Sequence, residues 1–76
     1  MEVKVYSTPT CPYCKMAKEY LSSKGVSYQN IDVSSDQNSL EEMVKLSGQM
    51  GVPVIVIDSE IMIGFDKARI DSLLNI

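Results

Sequence analysis

The sequence predicts an α/β domain with the element order β-α-β-α-β-β-α, in which a four-stranded mixed sheet is flanked by three helices. Two observations indicate this class. Strand-like and helix-like apolar periods alternate through the first half of the chain, and two β-branched runs followed by a helical pattern complete the second half. With 76 residues, the chain is expected to form one domain that spans residues 1–76.

The first two predicted elements are a strand over residues 3–6 and a helix over residues 12–24. Apolar and polar residues alternate in the strand. Pro12 suits the first position of a helix, where its missing N–H group is no loss, and Gly25 suits a helix end. The helix carries one inward-facing stripe, which comprises Cys14, Ala17 and Leu21.

A second strand is predicted over residues 26–33 and a second helix from residues 34–36 to Gly48. Ser and Asp residues at positions 34–36 are a helix-start signal, and the glycine is typical of a helix end. Because a helix connects the first two strands, we expect those strands to be parallel, with a right-handed crossover.

The second half of the chain predicts a hairpin and a closing helix. The β-branched runs at residues 54–57 and 61–63 are separated by three polar residues, which favours an antiparallel hairpin. The last helix is predicted over residues 66–74, with Asp66 as its N-cap.

Charge and hydropathy exclude some classes of partner. The net charge is −3 and no basic stripe is present, so nucleic acid is not an expected partner. No apolar run approaches the roughly 20 residues that span a bilayer, so no membrane partner is expected either. We expect a cytoplasmic, reducing location, in which a close cysteine pair is more often catalytic or metal-binding than structural.

The two cysteines of the chain, Cys11 and Cys14, are separated by Pro12 and Tyr13 at the start of the first predicted helix. Unpaired backbone N–H groups and the positive end of the helix dipole favour a thiolate there, and the thiolate is the reactive form of cysteine. The second thiol lies on the same side of the first turn, so the pair can close a short disulfide. The sequence therefore predicts Cys11 as a nucleophile and Cys14 as a resolving thiol, rather than two small buried side chains.

Four local features extend this interpretation over the whole chain. They are Tyr6 with the loop that leads into Cys11-Pro12-Tyr13-Cys14, the helix after it, Gly51-Val52-Pro53 before the third strand, and Gly64-Phe65-Asp66 before the last helix. In these features the chain resembles the glutaredoxins, which are small members of the thioredoxin fold. The resemblance implies a thioredoxin-like fold whose first strand lies between the second and third, with Pro53 cis and opposite the cysteines.

The resemblance also implies an activity. It predicts a thiol-disulfide oxidoreductase that reduces protein disulfides and glutathione mixed disulfides, with glutathione as co-substrate, no tightly bound cofactor and no metal site. The expected partners are glutathione and disulfide-containing or glutathionylated proteins, with ribonucleotide reductase among the candidates. The protein is expected to act as a monomer.

A glutathione site beside the cysteines is implied as well. In it the Val52 backbone pairs with an extended thiol peptide. The segment before the last helix would hold the γ-glutamyl end of glutathione at a helix N-terminus. The alternative for Asp66 is a simple helix cap, which does not exclude binding. Tyr13 either packs over the site or has no role in it, and Pro53 alone could be an edge-strand proline. The candidate binding residues are Pro12, Tyr13, Lys15, Gln49, Val52, Pro53, Gly64, Phe65 and Asp66. Lys15 and Gln49, together with Lys45, are the candidates for the glycyl carboxylate.

Two departures from the family pattern keep alternatives open. Glutaredoxins often have two glycines and then two acidic residues before the last helix, whereas this chain has Ile63-Gly64 and then Asp66-Lys67; its loop at residues 7–10 also lacks a basic residue. The dipeptide Gly64-Phe65 is similar to that of NrdH-redoxins, which are reduced by thioredoxin reductase, although the Trp, Arg and Pro of their usual stretch are missing.

Two further classes of function are a metal carrier and a redox-inert interaction module. Two cysteines and no histidine cannot complete a tetrahedral zinc site within one chain. Two chains could share an iron–sulfur cluster through Cys11 and external glutathione thiols, which Pro12 should disfavour.

Overall fold

The computed structural model describes residues 2–74 and confirms the predicted element order. Met1, Asn75 and Ile76 of the expected domain lie outside the described residues. None of the helices within residues 2–74 has the length and apolar character needed to cross a membrane. The elements are β1 (Val3–Ser7), α1 (Pro12–Ser23), β2 (Gln29–Asp32), α2 (Gln37–Ser47), β3 (Val54–Ile57), β4 (Glu60–Ile63) and α3 (Lys67–Leu74).

The four strands form one mixed sheet in the order β2-β1-β3-β4, as expected. Strand β1 runs parallel to β2 and antiparallel to β3, and β3 and β4 form the predicted antiparallel hairpin. Tyr6 near the end of β1 is opposite Val54 at the start of β3. The loop that leaves β1 and the loop that enters β3 therefore lie at the same end of the sheet.

Side chains on the two faces of the sheet belong to two separate apolar clusters, because successive residues of a strand point to opposite faces. One face packs against α1 and α3, and the other packs against α2. Ala17 and Leu21 of the predicted α1 stripe are fully buried on the first face, and Cys14 is also fully buried. The first cluster comprises Val3, Val5, Ala17, Leu21, Ile55, Ile57, Met62, Ile70 and Leu74, and the second comprises Tyr6, Val33, Met43 and Val54.

Strand β2 is shorter than the sequence predicts: it covers Gln29–Asp32 and not residues 26–33. The end of α1 explains the difference. Gly25 has a φ of 72°, and the N–H groups of Gly25 and Val26 donate to the carbonyl oxygens of Ser22 and Leu21, at 3.0 Å each. This is the Schellman arrangement that satisfies the last carbonyls of a helix. Because the Val26 amide is used there, it is not available to the sheet.

The other helix ends follow the predicted signals. The side chain of Asp36 accepts a hydrogen bond from the Asn38 N–H at 3.0 Å and caps α2, which ends at Gly48 with a φ of 73°. The Asp66 carboxylate accepts one from the Arg69 N–H at 3.3 Å, so the N-cap predicted for α3 is confirmed. Each such cap stabilises a helix by about 1 kcal/mol.

Candidate active site

Cys11 is the N-cap residue of α1, and its sulfur takes the place of the usual capping oxygen. Its backbone is extended, with φ −90° and ψ 111°, and its Sγ accepts a hydrogen bond from the Cys14 N–H at 3.3 Å. Pro12 follows at the first helical position, where no N–H group is needed. The local sequence thus directs an N–H group of the first helical turn, and the positive end of the helix, at Cys11 Sγ.

The two thiols differ in their exposure to solvent. Cys11 is half-buried, whereas Cys14 is fully buried on the inward side of α1. Burial, followed by the hydrogen bond to Cys11, raises the pKa of Cys14 from 9.0 to about 11. A substrate in solvent can therefore reach the first sulfur, while the second is held protonated behind it.

The segment before β3 forms the opposite wall of the site. The Cys11 thiol donates to the carbonyl oxygen of Val52 at an Sγ–O distance of 3.8 Å. The Val52–Pro53 peptide bond is cis, as expected, and Pro53 is buried. Gly64, with a φ of 86°, donates its N–H to the Pro53 carbonyl at 2.9 Å. These contacts bring Cys11, Val52, Pro53 and Gly64 together from three different parts of the chain.

Phe65 does not share those contacts. Its ring packs edge-on against Tyr20 of α1, with 5.9 Å between the ring centroids and 65° between the planes. Tyr20 in turn donates a hydrogen bond to the Asp71 carboxylate, which raises the pKa of Tyr20. Phe65 also lines a groove of about 310 Å³ that includes Met16 of α1. Phe65 therefore packs the segment before α3 against α1.

The polar candidates for glutathione binding are dispersed. Lys15 is exposed and lines a groove that also contains Tyr28 and Asn30, on the β2 side of α1. Lys45 lines a different groove, of about 560 Å³, between α2 and the exposed side chain of Met50. Neither lysine has a described contact with Cys11. The roles predicted for both residues in glutathione binding stay predictions.

Tyr13 and Gln49 occupy two contrasting environments. Tyr13 is 61% exposed, so most of its surface is open to solvent. The Gln49 carboxamide is bonded to Gly51 on its own loop: its Nε2 donates to the Gly51 carbonyl at 3.0 Å, and its Oε1 accepts from the Gly51 N–H at 2.5 Å. Sequence periodicity gives no signal for the contact between Gln49 and Gly51, because this contact lies within an irregular loop.

Comparisons with known proteins agree with this geometry. Residues 3–62 match the glutaredoxin family model. The chain is 54% identical over 72 residues to an uncharacterized glutaredoxin-like 8.6 kDa protein in the rubredoxin operon of Clostridium pasteurianum, covering 95% of this chain and 96% of the relative. It is 47% identical over 64 residues to glutaredoxin 3 of Escherichia coli K12, covering 84% of this chain and 77% of the relative.

The chain belongs to the glutaredoxin family. As a glutaredoxin it is, at the general level, a thiol-disulfide oxidoreductase of thioredoxin-like fold. The glutaredoxin of Archaeoglobus fulgidus superposes with a TM-score of 0.89 at 28% identity, covering 96% of this chain and 85% of that one.

Two more distant structures share the fold. The NrdH-redoxin of Escherichia coli has a TM-score of 0.84 at 22% identity, covering 96% of this chain and 95% of that one. A buckwheat glutaredoxin, solved as a glutathione complex, has a TM-score of 0.79 at 24% identity, covering 96% and 73%. At these identities the likeness concerns the fold alone.

Metal-ligating residues are not grouped in this glutaredoxin. Within residues 2–74, no set of three or more His, Cys, Asp or Glu side chains is arranged to hold a metal ion. Cys11 and Cys14 are both free thiols in this structure. Their arrangement is suited to the exchange of a thiol for a disulfide.

Proposed function

We propose that this glutaredoxin is a glutathione-dependent dithiol oxidoreductase that reduces protein disulfides and glutathione mixed disulfides. The observation that carries the proposal is the asymmetry of the two thiols: Cys11 is accessible at a helix N-terminus, and Cys14 is buried directly behind it. An accessible thiol alone could exchange with a mixed disulfide. The second thiol allows the protein to complete the reduction of a protein disulfide.

The proposed reaction proceeds by two exchanges. The Cys11 thiolate attacks one sulfur of the substrate disulfide, forms a mixed disulfide with it and releases the other sulfur as a thiolate. Cys14 then loses its proton to the departing sulfur and attacks Cys11 Sγ, which forms the Cys11–Cys14 disulfide and releases the substrate thiol. The substrate gains two electrons from the protein and one proton from Cys14, the thiolate released first takes its proton from solvent, and the protein dithiol is oxidised.

Glutathione restores the dithiol in the same way. One glutathione thiolate attacks Cys11 Sγ, forms a mixed disulfide and releases the Cys14 thiol. A second glutathione attacks the sulfur of the first, which yields glutathione disulfide and reduced Cys11. We also propose a cytoplasmic location, because this cycle needs a compartment in which glutathione is kept reduced.

The Val52 wall supports recognition of a peptide thiol. The Val52 carbonyl oxygen faces Cys11 Sγ, and within residues 2–74 the Val52 N–H group has no protein acceptor. An extended peptide can pair with both groups, as in strand addition. We assign the γ-glutamyl end to Gly64 and the first turn of α3, where Asp66 also serves as the cap. The bound glutathione of the buckwheat glutaredoxin supports this choice of ligand.

A second candidate is an NrdH-redoxin-like electron donor, reduced by thioredoxin reductase, with ribonucleotide reductase as one possible acceptor. The fold likeness to the Escherichia coli NrdH-redoxin supports it. So does the exposure of two large apolar residues close in sequence to the proposed site, Tyr13 and Met50, which are 61% and 67% exposed. Such residues suit contact with a protein partner more than with a small charged tripeptide.

Two coupled assays test the electron donor. The oxidised protein is mixed with glutathione, glutathione reductase and NADPH in one series, and with thioredoxin reductase and NADPH in the other, while NADPH absorbance is followed. We expect turnover in the first series. Turnover confined to the second would reject glutathione and favour the NrdH-like function.

A variant pair tests the roles of the two thiols. Cys14→Ser should keep activity on a glutathione mixed disulfide, which needs one thiol, and lose activity on a protein disulfide. Cys11→Ser should lose both. Equal loss of both activities in Cys14→Ser would contradict the assignment of Cys14 as the resolving thiol.

A further inference from the structure

The loop of residues 48–53 connects α2 to β3 and carries Val52 to the site. It is irregular, and Gly51 and Met50 are exposed. Its first half is tied to α2: the Ser47 hydroxyl oxygen lies 2.8 Å from the Met43 carbonyl and 2.9 Å from the Gln49 carbonyl. The second half, next to Val52, is held by the Gln49 side chain.

The Gln49 carboxamide makes a two-point contact with one residue. The Gly51 N–H can only donate, and it faces Oε1; the Gly51 carbonyl can only accept, and it faces Nε2. The orientation of the amide is therefore fixed by its partners. Both of the backbone hydrogen-bonding groups of Gly51 are satisfied by a single side chain two residues earlier.

The Gln49 amide occupies the space that a side chain at position 51 would take. A Cβ atom built at position 51 would lie 2.6 Å from Gln49 Oε1, which is closer than real Cβ atoms approach other atoms. Gly51 is not among the glycines with a positive φ, so backbone conformation does not account for it. The nearest atom is the end of a flexible side chain, so a methyl group at position 51 would displace the amide and leave the backbone in place.

This contact acts on the peptide unit that enters the site. The Gly51 carbonyl and the Val52 N–H belong to the same planar peptide group, and in a trans peptide the two point in opposite directions. When Gln49 Nε2 holds the carbonyl, the direction of the Val52 N–H is set as well. The next carbonyl, that of Val52, is the one that faces Cys11 Sγ.

We propose that Gln49 is a positioning residue, whose carboxamide holds the Gly51–Val52 peptide unit in the orientation that presents Val52 to a peptide thiol at Cys11. This inference rests on the proposed function, because it concerns recognition of the peptide part of glutathione. It assigns Gln49 to the loop, and not to the glycyl carboxylate of the ligand.

The first test measures the contact without any substrate. Amide hydrogen exchange is followed by NMR in the wild-type protein, in Gln49→Met and in the matched control Gln29→Met, which makes the same change on the exposed edge strand β2. Loss of one hydrogen bond should accelerate exchange of the Gly51 amide about tenfold in Gln49→Met and leave it unchanged in the control. An unchanged Gly51 rate in Gln49→Met would overturn the proposal.

The second test measures recognition by stopped flow. The reduced protein reacts with three probes: glutathione disulfide, the same disulfide with its glycyl carboxylates esterified, and 2-hydroxyethyl disulfide, which has no peptide group. Gln49→Met and Gly51→Ala should each slow exchange with both glutathione probes about tenfold and leave the 2-hydroxyethyl disulfide rate within about twofold. The double variant should be no slower than either single variant, because both remove the same contact.

The results separate this inference from the proposed function. If the wild-type protein does not prefer either glutathione probe over 2-hydroxyethyl disulfide, glutathione recognition is rejected, and the amide-exchange result still decides whether the contact exists. If the wild-type protein shows the preference and both variants retain it, the positioning role is overturned. A loss in Gln49→Met that is confined to the unesterified probe would overturn it too, in favour of a carboxylate-binding Gln49.

Discussion

The difference in burial between the two thiols predicts a large difference in alkylation rate. The perturbation is removal of one thiol at a time: Cys14→Ser leaves only Cys11, and Cys11→Ser leaves only Cys14. Burial is the largest cause of the raised pKa of Cys14, and it persists when Cys11 is replaced by serine, so the pKa should stay raised in that variant.

The magnitude follows from the fraction of thiolate. With a pKa of about 11, about one Cys14 side chain in ten thousand is ionised at pH 7. A solvated cysteine with a pKa of 9.0 has about one in a hundred. Because the thiolate is the reactive form, Cys14 should react with iodoacetamide about 100-fold more slowly than a solvated cysteine, and steric exclusion from the core should slow it further.

The assay compares each single-thiol variant folded and in 6 M guanidinium chloride, with alkylation at pH 7 followed by mass spectrometry. Unfolded, the two variants should react alike. In the folded variants, Cys11 should stay reactive. Alkylation of Cys14 should be slower than in the unfolded variant by at least the factor calculated above, and its rate should rise about tenfold per pH unit between pH 7 and 9. A folded Cys14 that reacts within tenfold of its unfolded rate would refute the asymmetry on which the proposed function rests.

Three stability predictions follow from other contacts. The pKa of Cys14 is about 11 in the folded chain and 9.0 when solvated, so its contribution to the free energy of unfolding is fully present well below pH 9 and falls by about 2 kcal/mol as the pH rises to 11. Cys14→Ala should flatten this fall in urea titrations, and an unaltered slope would contradict the prediction. Tyr6→Phe removes the hydrogen bond that the buried phenol donates to Glu42 at 2.8 Å and should lower the free energy of unfolding by about 1 kcal/mol. Urea denaturation measures this loss, and a midpoint equal to that of the wild-type protein would contradict the prediction. Asp36→Ala removes the cap of α2 and should cost about 1 kcal/mol, whereas Asp36→Asn should restore most of it; no difference between the two variants in thermal unfolding would argue against the cap.

The fold was largely predictable because most elements carry both a periodic apolar pattern and an end signal. Helix α1 begins at Pro12 and ends just before Gly25, and α2 begins after Asp36 and ends before Gly48, so the predicted bounds lie within three residues of those observed. The prediction for β2 was too long for a physical reason. Val26 and Tyr28 pack against the core and so continue the apolar pattern, but the Val26 amide caps α1 and does not join the ladder.

The candidate site was predictable in its chemistry and less so in its geometry. The spacing of Cys11 and Cys14 and the position of Pro12 indicate a dithiol at a helix start, and the structure has it there. The engagement of Gln49 with Gly51 depends on side-chain directions within one irregular loop, which no period describes. The binding roles of the remaining candidates stay predictions, because they concern a ligand that the chain alone does not contain.

The pairing of β1 with β3 has a consequence for how this protein can diverge. Cys11 and the wall that faces it are attached to the two inner strands, whose own side chains form the most deeply buried part of the sheet. Apart from the buried Pro53, residues 48–53 and Gly64 lie beyond those strands and are exposed or half-buried. Selection can therefore alter which thiols are accepted by changing residues 48–53 or the corner around Gly64, while the scaffold that aligns the reacting sulfurs stays intact.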